Sequence, residues 1–252
     1  MNTEALLNYQ PADGLLKDRV ILVTGASDGI GRALSIAAAK LGATVVLLSK
    51  TISKLEKVYD EIEANGSPQP AIYPMNFEGA TVRDYHDLAE NIQQQLGRLD
   101  GLVNNAGWVG AITPFTQLSP EMYQQVMTIN LHAPFLLTQA CLPLLQQAQD
   151  ASIVFSTHAC NRAYWGAFGV AKSGQQGLLQ ILAHEYSGEN PVRVNGVDTG
   201  PVNTQMRRQH YPGEDWSKLP LPEDVIAPYL YLLGSDGSEM SGKNFELGSG
   251  KG

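Results

Sequence analysis

Cysteine is nearly missing from this 252-residue chain, and charge is sparse, at 17% of residues. The two cysteines, Cys141 and Cys160, form neither a disulfide framework nor a metal-ligand pattern. The histidines, His86, His132, His158, His184 and His210, are scattered without zinc-ligand spacing, so no metal is expected. Seventeen Lys and Arg stand against 25 Asp and Glu, a net charge of −8. That balance disfavours the basic face a nucleic-acid binder needs. No apolar run approaches the ~18 residues of a membrane-spanning helix. The opening MNTEALLNYQPADG lacks a basic stretch followed by an apolar one, so no secretory signal is expected. A soluble, cytoplasmic globular protein with no nucleic-acid or membrane partner is the expectation that remains. Hydrophobic residues, 43% of the chain, suffice for a sizeable core and exclude a disordered chain.

Those residues alternate between two patterns. Short β-branched runs read as buried parallel strands: 19–25 (RVILVTG), 44–49, 71–75, 100–105, 152–157, 192–198 and a last one near 243–247. Between them lie stretches of helical periodicity: the segment after Gly29, 51–64, 80–96, 119–147, 164–187 and 222–234. Residues 1–18 read as a polar arm. Residues 199–221, rich in proline and polar residues, read as a mobile flap over a substrate. The alternation predicts βαβ units: an α/β fold, a three-layer doubly wound parallel sheet of Rossmann type, in a single domain over 19–252.

The first strand-to-helix turn reads Thr24-Gly25-Ala26-Ser27-Asp28-Gly29-Ile30-Gly31. Glycines there allow a tight turn, close approach of backbone to a diphosphate, and close packing of helix on strand. The helix N-terminus adds free N–H groups and the positive end of its dipole. Strand before and helix after make this a nucleotide-binding loop rather than a bare turn.

This loop resembles the glycine motif of the short-chain dehydrogenase/reductase family. NNAG at Asn104 to Gly107 resembles the family's second motif, Asn130 in TINLHAPF its mid-helix asparagine, and Lys172 in FGVAKSG its active-site lysine. VRVNGVDTGPVNT (192–204) is similar to its P-G-x-x-x-T segment, with Thr199 in place of the proline. The resemblance runs from about residue 15 onward. It implies nicotinamide cofactor binding by Gly25, Ser27, Asp28, Gly29, Ile30, Gly31, Asn76, Asn104, Ala106, Gly107, Lys172, Gly200, Val202 and Thr204. It also implies a small carbonyl or alcohol substrate, and a homodimer or homotetramer. Lys50 falls nineteen residues after Gly31, and neither Asp nor Glu occurs between Leu41 and Lys54. A carboxylate near that position would hold a ribose 2′-hydroxyl, whereas a cation accommodates a 2′-phosphate. NADP(H) is therefore expected over NAD(H), with Ser49, Thr51 and Lys54 as assistants.

The catalytic segment departs from the family's Ser, Tyr and Lys. Four residues before Lys172 stands Phe168, which has no exchangeable proton, and His158 takes the serine position when the strands are aligned. Three readings stay open. The protein binds NADP(H) as a sensor or partner subunit without turnover; or Tyr164 or His158 has taken over as acid; or slow reduction proceeds with a bound water. Tyr164 would share a face with Phe168 and Lys172 if the helix already began there. Histidine's ordinary pKa suits neutral pH. Trp108, Trp165 and Trp216 are expected near the substrate mouth.

Overall fold

The computed structural model describes residues 3–248; residues 1–2 of the predicted arm and 249–252 of the predicted domain lie outside the described residues. The elements run α1 (Thr3–Leu7), β1 (Val20–Thr24), α2 (Gly29–Lys40), β2 (Thr44–Ser49), α3 (Ile52–Ala64), β3 (Ala71–Pro74), α4 (Val82–Leu96), β4 (Gly101–Asn104), α5 (Pro120–Met127), α6 (Ala133–Leu145), β5 (Ala151–Ser156), α7 (Gly166–Glu185), β6 (Val192–Asp198), α8 (Gln205–His210), α9 (Ala227–Leu233) and β7 (Asn244–Glu246).

The seven strands form one parallel sheet in the order β3-β2-β1-β4-β5-β6-β7. Successive side chains of a strand point to opposite faces, and both faces are covered here. Leu22, Val46, Leu48 and Ile153 meet α4, α6 and α7 through Tyr85, Leu88, Leu137 and Leu179. Ile21, Val23, Val45 and Leu47 meet α2, α3 and α9 through Leu34, Leu55, Val58 and Leu230. Two-sided burial is why the strands read as continuous apolar runs. β1 and β4 are neighbours although two crossover units separate them in sequence. A crevice therefore opens outside their carboxyl ends, the place where doubly wound sheets bind ligands.

Several boundaries differ from the sequence expectation. The segment 119–147 is two helices joined by a wider turn of π type, Thr128–His132. The predicted helix over 222–234 is a 3₁₀ turn, Pro222–Val225, followed by α9. The polar arm is docked: Leu6 and Leu16 are fully buried and join the core beside α9. The segment 199–221 carries α8, and Arg207 on it holds Glu214 through two nitrogens at 2.6 and 2.7 Å.

Candidate active site

Thr24, the last residue of β1, fastens two loops together. Its hydroxyl accepts the N–H groups of Asn105 and Ala106, each at 2.9 Å, and the Asn105 amide donates to the Thr24 carbonyl at 2.9 Å. The glycine loop and the loop after β4 are thus one unit. Gly25 sits at φ +68° in the left-handed region, and a Cβ there would lie 3.0 Å from the Ala106 Cα. At Gly31 a Cβ would drive into the Gly25 carbonyl oxygen. Only glycine permits this close crossing of loop, helix and neighbouring loop. Asp28 caps α2, accepting the Gly29 N–H, and its other oxygen holds Lys54 Nζ at 2.7 Å. Lys54, expected to assist a phosphate, is thus paired with the loop carboxylate.

A cavity of about 840 Å³ runs from this loop toward the N-terminal end of α7. One end is walled by Ser27, Ser49, Lys50 and Asn76, the middle by Gly29, Asn105 and Gly107, the far end by His158, Phe168 and Lys172. Ile30, Ala106, Gly200, Val202 and Thr204 line it as expected. Four expected site residues do not, Tyr164 (described below) and three others. Gly31 lies behind the loop as a packing glycine. Asn130 is fully buried outside the wall. Asn104 is buried beneath the wall, donating to Thr138 Oγ1 at 3.0 Å, and the adjacent Asn105 faces the cavity in its place. Of the tryptophans, Trp108 and Trp165 line the cavity. Trp216 does not, its indole donating instead to the Tyr211 carbonyl at 3.0 Å.

The catalytic end is built around Lys172. Its ammonium donates to the Ser156 carbonyl at 2.7 Å and to Gln175 Oε1 at 3.1 Å, and lies 5.5 Å from the centre of the Phe168 ring. Burial lowers its pKa to about 8, with the Cys160 and Asp198 charges resisting that shift. Gln175 Nε2 donates onward to the Asn130 carbonyl at 2.5 Å, for which Pro134, four residues on, has no N–H. A side-chain amide thus spans the gap between lysine and asparagine. The Asn130 side chain clamps the loop after β4: its Oδ1 accepts the Trp108 N–H, and its Nδ2 donates to the carbonyls of Trp108 and Val126. Asn130 positions; it does not face the cavity.

Tyr164 is displaced from the site. α7 begins at Gly166, Tyr164 lies before it at φ +73°, and its side chain is 59% exposed. It therefore shares no helical face with Phe168 and Lys172, and it does not line the cavity. His158 does line it. Its Nδ1 lies 3.1 Å from Asp198 Oδ1, and its ring is 5.4 Å from that of Trp165 and 6.4 Å from that of Phe168. Burial pushes the Asp198 carboxyl up, but the hydrogen bond to His158 and the N–H groups of Ala159 and Gly200 outweigh it and hold the pKa below its ordinary value.

Comparison with known proteins settles the family. The short chain dehydrogenase family profile matches residues 19–215. The chain belongs to the short-chain dehydrogenase family. It is 39% identical over 248 residues to the uncharacterized oxidoreductase YciK of Escherichia coli K12, covering 97% of this chain and 98% of that protein. A structure described as a short chain dehydrogenase of Pseudomonas syringae superposes with a TM-score of 0.93 at 45% identity, covering 95% of this chain and 98% of that one. Another, from Escherichia coli CFT073 and described as complexed with NADPH, gives 0.90 at 40% identity, with coverage of 94% and 99%. The seven-stranded doubly wound sheet is the fold of this oxidoreductase family. Among the described residues no helix is long and apolar enough to cross a membrane, and no group of three or more His, Cys, Asp or Glu could hold a metal.

Sequence reasoning missed Asn105, Gln175 and Asp198. Gln175 carried a signal, because it follows Lys172 by three residues and so shares its helical face. Asp198 was the acidic end of an otherwise uncharged buried run after Arg193.

Proposed function

We infer that the chain is an NADP(H)-dependent oxidoreductase acting between a small carbonyl compound and its alcohol, with a centre in which Phe168 and His158 replace the family's tyrosine and serine. The observation that carries this reading is the continuous cavity, with Lys50 at one end and Lys172 at the other. The glycine loop, with Gly25, Ser27 and Gly29 on the cavity wall, fits a dinucleotide diphosphate at the N-terminus of α2. The Ser27 and Ser49 hydroxyls, 2.7 Å apart, and the exposed Lys50 fit a 2′-phosphate. Lys54 offsets the charge of Asp28, so the loop carboxylate does not stand unmatched beside that group. When bound, NADPH supplies the hydride. Lys172 would then hold nicotinamide-ribose hydroxyls, a binding role that does not need a tyrosine. Trp108, Val109, Ile112, Trp165 and Phe168 give the substrate end an apolar wall. Assembly into a homodimer or homotetramer belongs to the same reading, since Phe135 on α6 and Val170 and Ile181 on α7 are exposed large apolar side chains.

Parallel titrations of NADPH and NADH, read by nicotinamide fluorescence, test it. A charge-assisted bond from Lys50 to a phosphate contributes ~1.5–3 kcal/mol, so NADPH should bind at least about tenfold tighter. Lys50→Glu should remove the preference. Equal affinities overturn the NADP(H) assignment. NADPH binding without oxidation on a panel of aldehydes, ketones and quinones replaces the enzyme by a nucleotide-binding subunit.

A further inference from the structure

We propose that the His158–Asp198 pair is the proton donor of this site, His158 giving the proton to the substrate oxygen and Asp198 holding the imidazole. The proposal rests on the reductase reading above. A carbonyl that receives hydride becomes an alkoxide and needs a proton at the moment its charge develops. Phe168 has none to give. Two of the three Lys172 ammonium hydrogens are committed, to the Ser156 carbonyl and to Gln175. Ser156 Oγ is spent on Asn105 and Tyr229, and Thr157 Oγ1 on Asn244. Tyr164 is outside the cavity. Two histidines stand on the cavity wall, His158 and His210. Burial lowers the His210 pKa, and His158 is the one beside Phe168, with ring centres 6.4 Å apart.

The pair has the features of an oriented imidazole rather than of a structural bond alone. Asp198 is buried, and its oxygens already accept the N–H groups of Ala159 at 2.6 Å and Gly200 at 2.9 Å. The carboxylate is therefore satisfied without the ring. Adding Nδ1 at 3.1 Å fixes the tautomer that carries its proton on Nδ1 and leaves Nε2 with no partner among the described residues. The other titratable and charged groups near the pair are Lys172 on α7, Cys160 and Arg162 on the same loop as His158, and Tyr229 on α9, whose hydroxyl meets Ser156. Cys160 is buried with its thiol pushed up to about 11, and burial raises the Tyr229 hydroxyl as well. Neither competes as an acid near neutral pH.

The step balances as follows. His158 Nε2 gives its proton to the carbonyl oxygen as hydride from the reduced nicotinamide reaches the carbonyl carbon. The C=O π pair becomes the new O–H bond. The imidazole, left neutral, regains a proton from water. One carbonyl, one reduced nicotinamide and one proton give one alcohol and one oxidised nicotinamide.

The test uses the full-length protein and its His158→Gln, Asp198→Asn and Tyr211→Phe variants, Tyr211 being a tyrosine on the cavity wall. NADPH affinity by fluorescence, carbonyl reduction from pH 5 to 9, and imidazole ¹⁵N shifts without nucleotide are measured. General acid catalysis contributes about 10²–10⁴-fold, so His158→Gln should lower kcat by at least 10²-fold while NADPH affinity stays within threefold. In the parent protein kcat/KM should fall as pH rises through one ionisation, and that fall should vanish in His158→Gln. Asp198→Asn should lower kcat in the same direction. The ¹⁵N shifts should show Nδ1 protonated throughout and Nε2 alone titrating, a pattern altered in Asp198→Asn. An unchanged rate and pH profile in His158→Gln overturns the proposal while the reductase reading stands. So does a titrating Nδ1, or a pH-dependent fall removed by Tyr211→Phe instead. No NADPH oxidation on any carbonyl overturns both.

Discussion

At the scale of single residues, two substitutions separate binding from chemistry. Phe168 lines the cavity 5.5 Å from the Lys172 ammonium, so Phe168→Tyr places a phenol beside a cation that favours its ionised form. Turnover on a carbonyl panel should rise at least about tenfold; no rise would mean that the pocket no longer presents the substrate oxygen there. Lys172→Met probes the opposite property. The folded protein binds the Lys172 proton less tightly than the unfolded chain does, with a pKa of about 8 against the ordinary 10.5. Between those values the unfolded state holds more protons, so the lysine's contribution to stability rises with pH. Urea denaturation at pH 7 and pH 10 should show the parent protein gaining on Lys172→Met, by a few kcal/mol at most. NADPH affinity should fall in the variant at both pH values. The identities of these residues were legible in the sequence, because a missing hydroxyl at position 168 is visible without coordinates. The partnership of His158 with Asp198 was not, because forty residues separate them and only the pairing of β5 with β6 brings them together.

At the scale of elements, the crossing of the glycine loop with the loop after β4 is the feature most exposed to substitution. Gly31→Ala forces a methyl group against the Gly25 carbonyl and the Asn105 amide. Overpacking of this kind costs ~1–3 kcal/mol, and the strain falls on the loop that cradles the diphosphate. NADPH affinity should therefore drop together with thermal stability, by at least tenfold; a loss of stability alone would show that the loop relaxes without changing shape. The β–α alternation was legible because two-sided burial writes each strand as an apolar run and each helix as a periodic one. The wide turn at Thr128–His132 was not, since TINLH contains neither glycine nor proline to mark it. Its signal lies just beyond it: Pro134 has no N–H for the Asn130 carbonyl four residues earlier, and Gln175 bonds that carbonyl from α7 instead. The start of α7 was misplaced for a different reason. The left-handed backbone at Tyr164 is a conformation that L side chains rarely adopt, and the cross-loop bond from the Thr113 N–H to the Tyr164 carbonyl forms only in the fold.

At the scale of the whole molecule, the N-terminal arm is the part whose role the sequence concealed. It reads as a polar arm, yet it carries four leucines, and two of them, Leu6 and Leu16, are completely buried against the face of the sheet that carries α9. The Tyr9 ring packs edge-on against Tyr231 at 5.1 Å, and its hydroxyl donates to Asp236 at 2.7 Å. The arm thus covers α9, whose Tyr229 hydroxyl meets Ser156 beneath the active site. Each buried leucine reduced to alanine should cost ~2–5 kcal/mol. For a chain of this size each kcal/mol lowers Tm by roughly 2–4 °C, so Leu6→Ala and Leu16→Ala should each melt at least about 4 °C below the parent. The catalytic cavity should register much less. α9 is anchored to the sheet independently by Leu230, Leu232 and Leu233, so NADPH affinity measured well below Tm should stay within threefold. Unchanged melting in both variants would show that the arm merely lies on the surface. A large loss of NADPH affinity at low temperature would show instead that the arm, through α9 and Ser156, sets the position of Lys172.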